Sequence, residues 1–265
     1  MLIHTYFTDG FYRFGKIFIE SFKVFHGEEM PMVVTTRNLT RQQLKELKSL
    51  YKNLTILNKK INMQNISKRT GKSIETLKKF KNEIEFHHVK WKKGNVIWKQ
   101  YISVEDRYRT SITEAMHYKG DEKFMMHIDA DSYIKKSLDP IFKIIEENDI
   151  TLIFRLDRPK INRKIFGSLV GFKLGERADL FMRRWIKHID AKNLKDKPIG
   201  YGQTSCYLAY EELKDTEIKW GTIPKQWVKS NLNKQSLIWS GNNSRGKTTT
   251  LNIFEKDFRR KNDNT

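Results

Sequence analysis

Apolar positions along the chain keep two alternating rhythms. Leu2 to Phe7 is a short β-rich run closed by Thr8-Asp9-Gly10, and Phe11 to Val24 then carries Phe14, Ile17, Phe18 and Phe22 at helical spacing. Met32 to Thr36 and Leu54 to Leu57 predict two further strands, separated by a helix over Arg41 to Tyr51 with Leu44, Leu47 and Leu50 on one face. Strands that alternate with helices of about ten residues predict βαβ units and a mostly parallel sheet. Beyond Leu57 the pattern turns basic. Asn65 to Phe86 reads as helical, and Ser103 to Tyr118 as an amphipathic helix with Tyr108, Ile112 and Ala115 along its face. Phe124 to Ile128 is an apolar strand that stops at Asp129. The remainder predicts a helix at Ile141 to Glu147, strands at Thr151 to Phe154 and Ser168 to Phe172, and an apolar-faced helix at Ala178 to Ile189. Ile199 to Gly202 reads as a glycine-bounded loop feeding a helix from Gln203 to Leu213. With no internal repeat and no long linker, residues 1–265 read as one α/β domain, a mostly parallel sheet flanked by helices. A basic helical segment is inserted at 59–100, and the tail at 258–265 reads as frayed.

Charge changes this picture by its location. The 265 residues hold 51 Lys and Arg against 31 Asp and Glu, and sixteen of the twenty excess charges lie in 59–100 and 219–265. Excess confined to an insertion and a tail marks surfaces that meet something negative, although a lysine-rich solvated face gives the same count. Apolar residues at 38% and aromatics at 12% exclude a disordered chain. The single cysteine, Cys206, excludes a disulfide scaffold or zinc finger, and its place on the apolar side of a helix makes it core rather than nucleophile. No apolar run is long enough to span a bilayer, and Met1-Leu2-Ile3-His4 does not open a signal peptide, so the expected localisation is cytoplasmic.

The sharpest chemical signal is Phe124-Met125-Met126-His127-Ile128-Asp129-Ala130-Asp131. An apolar strand delivers two carboxylates, one residue apart, to the carboxyl end of a parallel sheet, where open α/β sheets bind ligands. Alternate strand residues point the same way, so both can converge on one hard divalent cation. Two strand-end aspartates capping a turn are the ordinary alternative. The context is more specific: Ser132-Tyr133-Ile134 and Leu138-Asp139-Pro140-Ile141-Phe142 resemble the segment after the Asp-x-Asp motif of GT-A fold glycosyltransferases.

That resemblance implies a Rossmann-like GT-A sheet, a nucleotide sugar as donor with a UDP-sugar as the default, and Mn2+ or Mg2+ held by Asp129 and Asp131. It puts Thr5, Tyr6, Thr8 and Asp9 where such enzymes hold the base and ribose, and Arg107 and Arg109 where they present cations to the nucleotide or pyrophosphate. Trp239-Ser240-Gly241-Asn242-Asn243-Ser244-Arg245-Gly246-Lys247 resembles the closing loop of glycogenin-like enzymes, where a His ligates the metal and a Lys grips the diphosphate. Here the His is absent. Ser240, Asn242 or Asn243 would supply the third oxygen, with Asn243 preferred, and Lys247 would hold the leaving group. Gly200-Tyr201-Gly202-Gln203 falls where retaining relatives carry an Asp-Gln pair; Gln203 is present and Gly202 replaces the Asp. An inverting enzyme needs a general base instead, and Asp157 in Phe154-Arg155-Leu156-Asp157-Arg158 is the first candidate for base or sugar contact.

The acceptor is suggested by the basic segment. In residues 66–80, Gly71, a Ser73 N-cap and an apolar face of Ile74, Leu77 and Phe80 match a helix-turn-helix, with Lys68, Arg69, Lys72, Lys78 and Lys79 outward. A helical pair in the variable part of a GT-A domain explains the same residues. The first reading makes DNA the favoured polyanionic acceptor, as in phage enzymes that glycosylate hydroxymethylated bases. The alternative is a cell-envelope glycan, protein or membrane glycolipid, approached through a tail, Phe254 to Lys261, that suits an anionic bilayer. Outside this class stand a non-catalytic nucleic-acid binder and a nucleotidyltransferase. The latter needs a glycine-rich phosphate loop after its first strand, which Thr8-Asp9-Gly10 does not provide.

Overall fold

The computed structural model describes residues 1–60, 63–78, 101–118, 120–192, 201–229 and 235–240. A seven-stranded sheet has the order β3-β2-β1-β4-β7-β6-β8, from β1 (Leu2–Thr8), β2 (Met32–Arg37), β3 (Leu54–Lys59), β4 (Phe124–Ile128), β6 (Ile150–Leu152), β7 (Leu169–Lys173) and β8 (Trp220–Thr222). Every pairing is parallel except those of β7, which runs against both β4 and β6. A second sheet joins β5 (Ser132–Ile134), antiparallel, to β10 (Ile238–Ser240), which pairs in parallel with β9 (Val228–Lys229).

The helices are α1 (Tyr12–His26), α2 (Arg41–Leu50), α3 (Met63–Thr70), α4, α5 (Asp139–Glu146), α6 (Glu176–Asp190) and α7 (Tyr201–Leu213). Helix α4 is π-helical over Tyr101–Ser111 and α-helical over Ile112–Met116. Two cores explain why the central strands are apolar on both faces. Leu2, Val33 and Met125 pack with α4, α6 and α7, while their neighbours Ile3, Val34 and Met126 pack with α1, α2 and α5. The small sheet lies on α1, with Tyr133 and Trp239 against Phe14 and Ile17 and with Ile134 N donating to Ser21 Oγ at 3.1 Å.

The long strands and helices stand where the apolar rhythm predicts them, and the differences are local. Strands β5, β8, β9 and β10 have two or three residues each, too few for a period to register. The helix pair expected around Gly71 is present through residue 78: α3 ends at Thr70, and Gly71, with a φ of 65°, takes the left-handed conformation that glycine adopts freely. Helical structure resumes at Ile74, with Ser73 Oγ accepting from Thr76 N at 3.2 Å as an N-cap. Tyr201 and Gly202, expected in a loop, are the first residues of α7. The rest of 59–100 beyond residue 78 and the tail at 258–265 lie outside the described residues.

One polar seam crosses the middle of the sheet. In the parallel pairing of β1 with β4, His4 stands opposite His127, and both are fully buried. His127 Nδ1 lies 2.9 Å from His4 Nδ1, and His4 Nε2 lies 3.1 Å from Thr35 Oγ1. Two lone pairs, or two protons, cannot face each other at that distance, so one ring donates and the other accepts. If His4 donates, its Nε2 accepts from Thr35 and the remaining proton of His127 sits on Nε2, 3.8 Å from Asp129 Oδ1. Burial, assisted by Arg37, lowers the His4 pKa to about 3, and burial, His4 and Arg107 push His127 down as well.

This seam sets a pH dependence. Between the unfolded histidine value and the lowered folded one the unfolded chain binds protons that the folded chain cannot, so stability falls as pH falls below about 6.5. Going from about pH 7 to about pH 5 is expected to cost on the order of 2 kcal/mol through His4. Denaturant titrations should show a steeper loss for the native chain than for His4→Gln; equal slopes would remove the seam as the cause.

Candidate functional site

Strand β4 carries the chain to the carboxyl edge of the sheet, and Asp129-Ala130-Asp131 turns it there into β5. Asp129 N donates to Ser168 O at 2.8 Å, and Ser132 N donates back to Asp129 O at 3.0 Å. The two carboxylates are thus presented by a turn beyond the strand, not by alternate strand positions as the sequence pattern implied. Arg107 Nη1 donates to Asp129 Oδ1 at 2.7 Å, with both side chains largely shielded, and the Arg107 guanidinium lies 4.0 Å over the Tyr108 ring.

Three consecutive residues of the π-helical part of α4 bind three parts of this edge. Asp106, 5% exposed, accepts from Tyr6 Oη at 2.6 Å and from Arg37 Nε and Nη2 at 3.1 and 2.9 Å. Burial alone would lower the Arg37 pKa; the Asp106 carboxylate more than offsets it and leaves the guanidinium firmly charged. Arg107 takes Asp129. Tyr108 donates to Gly167 O at 3.2 Å and packs its ring on Trp185, centroids 4.8 Å apart.

Tyr108 also explains the glycine at 202. A Cβ there would sit 2.3 Å from a Tyr108 ring carbon, so no aspartate fits at that position while Tyr108 holds its place. Gln203 does reach the edge. A Cβ on Gly167 would meet Gln203 Cγ at 3.2 Å, and Gly167 precedes the Ser168 carbonyl that receives the Asp129 N–H.

The other expected site residues are distributed unevenly. Thr5 is fully buried inside β1, and the Tyr6 hydroxyl is engaged by Asp106, which leaves Asp9, just past the end of β1, as the one of these four residues nearest the surface. Thr8 is itself buried, and Asp9 Oδ1 accepts from Gly10 N at 3.2 Å. Arg109 Nη1 donates to Asp190 at 2.8 Å, at the end of α6. Asp157 lies on the exposed hairpin beyond β6, 3.5 Å from Lys225 Nζ. Ser240, the last residue of β10, pairs with Ser132, the residue after Asp131. Asn242, Asn243 and Lys247 lie outside the described residues.

Two carboxylates offer the hard oxygen donors that Mn2+ and Mg2+ take, and the guanidinium on Asp129 shows that this position accommodates positive charge. The donor set therefore fits a divalent cation, although no cluster of three His, Cys, Asp or Glu exists among the described residues. Arg37, Asp106, His4 and His127 escaped the sequence reading. Arg37 had a signal, a cation ending an apolar strand at the ligand-binding edge; the other three gain meaning only once β1, β2, β4 and α4 are side by side.

No family model matches the sequence, and no curated protein matches it. Solved structures do match. The galactosyltransferase LgtC, in complex with donor and acceptor sugar analogues, is 9% identical at a TM-score of 0.55, over 96% of this chain and 96% of that one. The glycosyltransferase GlyE of Streptococcus pneumoniae is 9% identical at 0.50, over 85% of this chain and 45% of that one. The bifunctional glycosyltransferase WbbM is 10% identical at 0.52, over 91% and 45%. The chain spans less than half the length of GlyE and WbbM. At these identities the likeness is one of fold, and the chain has the GT-A fold of these glycosyltransferases. No helix among the described residues is long and apolar enough to cross a membrane.

Replacing Asp106 by Asn leaves Arg37 charged and buried without its main counter-ion, which is expected to cost about 3–5 kcal/mol in a denaturant titration. Gly202→Ala is expected to lose about 1–3 kcal/mol by overpacking, recovered in part when Tyr108→Leu is combined with it.

Proposed function

We propose that the protein is a glycosyltransferase that moves a sugar from a nucleoside-diphosphate sugar, by default a UDP-sugar, to a hydroxyl acceptor with the help of Mn2+ or Mg2+. The observation that carries this reading is the Asp129-Ala130-Asp131 turn at the carboxyl edge of a GT-A sheet, with Arg107 on Asp129 and Ser240 of β10 paired with the neighbouring Ser132. Asp129 and Asp131 would hold the cation, with Ser240, Asn242 or Asn243 as the source of a third oxygen. When bound, such a cation neutralises the diphosphate as the bond to the anomeric carbon breaks.

The chain's own residues supply the rest. Arg107 orients Asp129 and adds fixed positive charge close to the leaving group, where preorganised charge acts without reorganisation. Lys247 adds a flexible cation from the C-terminal side. Thr8 and Asp9 face the nucleotide from the end of β1. Gln203, next to Gly167, is the contact for the donor sugar, since its usual aspartate neighbour is excluded by Tyr108. Asp157 can serve as a general base only if its pair with Lys225 opens.

The test is nucleotide release from a panel of nucleotide sugars with Mn2+, first without acceptor and then with hydroxymethylated DNA, the acceptor suggested by the basic helix pair. Release is expected to fall about a hundredfold or more in the Asp129→Asn, Asp131→Asn double variant, because the charge that holds the cation is gone. Equal release by both proteins would refute the reading. Stimulation by DNA would identify the acceptor class.

A further inference from the structure

Between β6 and β7 the chain makes a hairpin whose root is firmly held and whose tip is bare. Phe154 bridges Ile165, Arg155 N donates to Lys164 O at 2.7 Å, and Phe166 N donates to Ile153 O at 2.9 Å. Its returning arm, through Gly167 and Ser168, is the stretch that receives Tyr108 and the Asp129 N–H. The hairpin therefore rises from the same edge as the two carboxylates. Every residue from Leu156 to Ile161 is exposed, Leu156 by 52% and Ile161 by 41%. Only Val24 and Phe25 share this degree of exposure among the large apolar residues described.

The same tip is crowded with cations. Arg158, Lys160 and Arg163 are exposed, Arg155 lies 4.6 Å over the Phe166 ring, and Lys164 lies 5.1 Å over the Tyr207 ring. The hairpin's one carboxylate, Asp157, faces Lys225. Burial lowers the Arg155 pKa, Arg158 and Arg163 lower it further, and Asp157 only partly opposes them.

We infer that this hairpin docks the protein onto an anionic lipid bilayer, with Leu156 and Ile161 entering the interface and Arg158, Lys160 and Arg163 on the headgroup phosphates. Phosphate alone asks only for cations, as a nucleic-acid backbone would; two bare aliphatic side chains set among arginines find their match in a surface that is anionic outside and apolar beneath. Long cationic side chains bury their stems while their heads reach the phosphates. Docking in this way turns Asp129 and Asp131 toward the membrane surface, so the acceptor class is a hydroxyl carried by a lipid-anchored glycan. That last step rests on the glycosyltransferase reading; the docking does not.

The full chain is sedimented with vesicles of phosphatidylglycerol and phosphatidylcholine and, separately, of phosphatidylcholine alone. Binding to the anionic vesicles only is expected. Arg158→Gln, Lys160→Gln and Arg163→Gln together are expected to weaken it about a hundredfold, at about a factor of five for each cation. Leu156→Asp with Ile161→Asp is expected to weaken it about tenfold or more. All five positions are exposed, so thermal melts should be unchanged, and release of nucleotide without acceptor reads the enzyme independently of the surface. Vesicle binding that both variants retain would overturn the docking, as would vesicle-free behaviour with salt-dependent DNA binding that the same variants lose. Loss of nucleotide release with vesicle binding intact would count against the enzyme reading alone.

Discussion

The buried carboxylate of Asp106 is the constraint on which the site depends. Removing an aspartate and an arginine from water costs several kcal/mol for each ion, and the pair is tolerable only when its geometry is complete. Here it is complete, with Arg37 giving two N–H groups to one oxygen and Tyr6 giving its hydroxyl to the other. These three residues come from β2, β1 and α4, so the clasp fixes a helix to the sheet at its carboxyl edge, where open α/β sheets bind ligands. A π-helical register holds its residues by wider and weaker turns than an α-helix, and it is commonly kept where function requires it. Anchoring Asp106 leaves no freedom for Arg107 and Tyr108, which are delivered to Asp129 and to Gly167 by adjacency in sequence.

The Asp129 carboxylate is consequently read by a guanidinium and not by a charged histidine. His127 is the nearer residue in sequence and lies 3.8 Å from the same oxygen, yet burial, His4 and Arg107 all favour its neutral form. The central strands can therefore carry two histidines through the core without placing a titrating charge under the turn. Positive charge at this position comes instead from α4, through Arg107, which the Asp106 clasp holds against Asp129.

Much of the fold was legible because long strands buried on both faces and helices with one apolar face leave periods of different length in the sequence. The Asp-x-Asp turn was legible for a related reason, since an uninterrupted apolar run must end somewhere and this one ends in carboxylates. What could not be read was pairing. His4 and His127 are 123 positions apart and meet only through the register of β1 on β4. Arg37 and Asp106 are 69 apart and meet only because α4 crosses the end of β2. Tyr201 and Gly202 look like a loop in a sequence with glycine on both sides of a tyrosine, but the Gly202 carbonyl accepts from Trp185 Nε1 at 3.0 Å and its missing side chain admits Tyr108, so both are helical for tertiary reasons.

The same limit applies to charge. Counted by segment, residues 101–218 carry 21 basic and 20 acidic side chains and look neutral beside 59–100 and 219–265. Yet the twelve residues from Phe154 to Ile165 hold five of those cations and one carboxylate. The structure gathers them on one hairpin at the carboxyl edge, while most of the segment's acidic residues lie on helices and turns elsewhere. A field is set by where charges stand, not by their sum, and it falls off within about 8–10 Å at physiological salt. A locally basic hairpin beside Asp129 therefore acts on whatever approaches this edge as strongly as if the rest of the segment were uncharged.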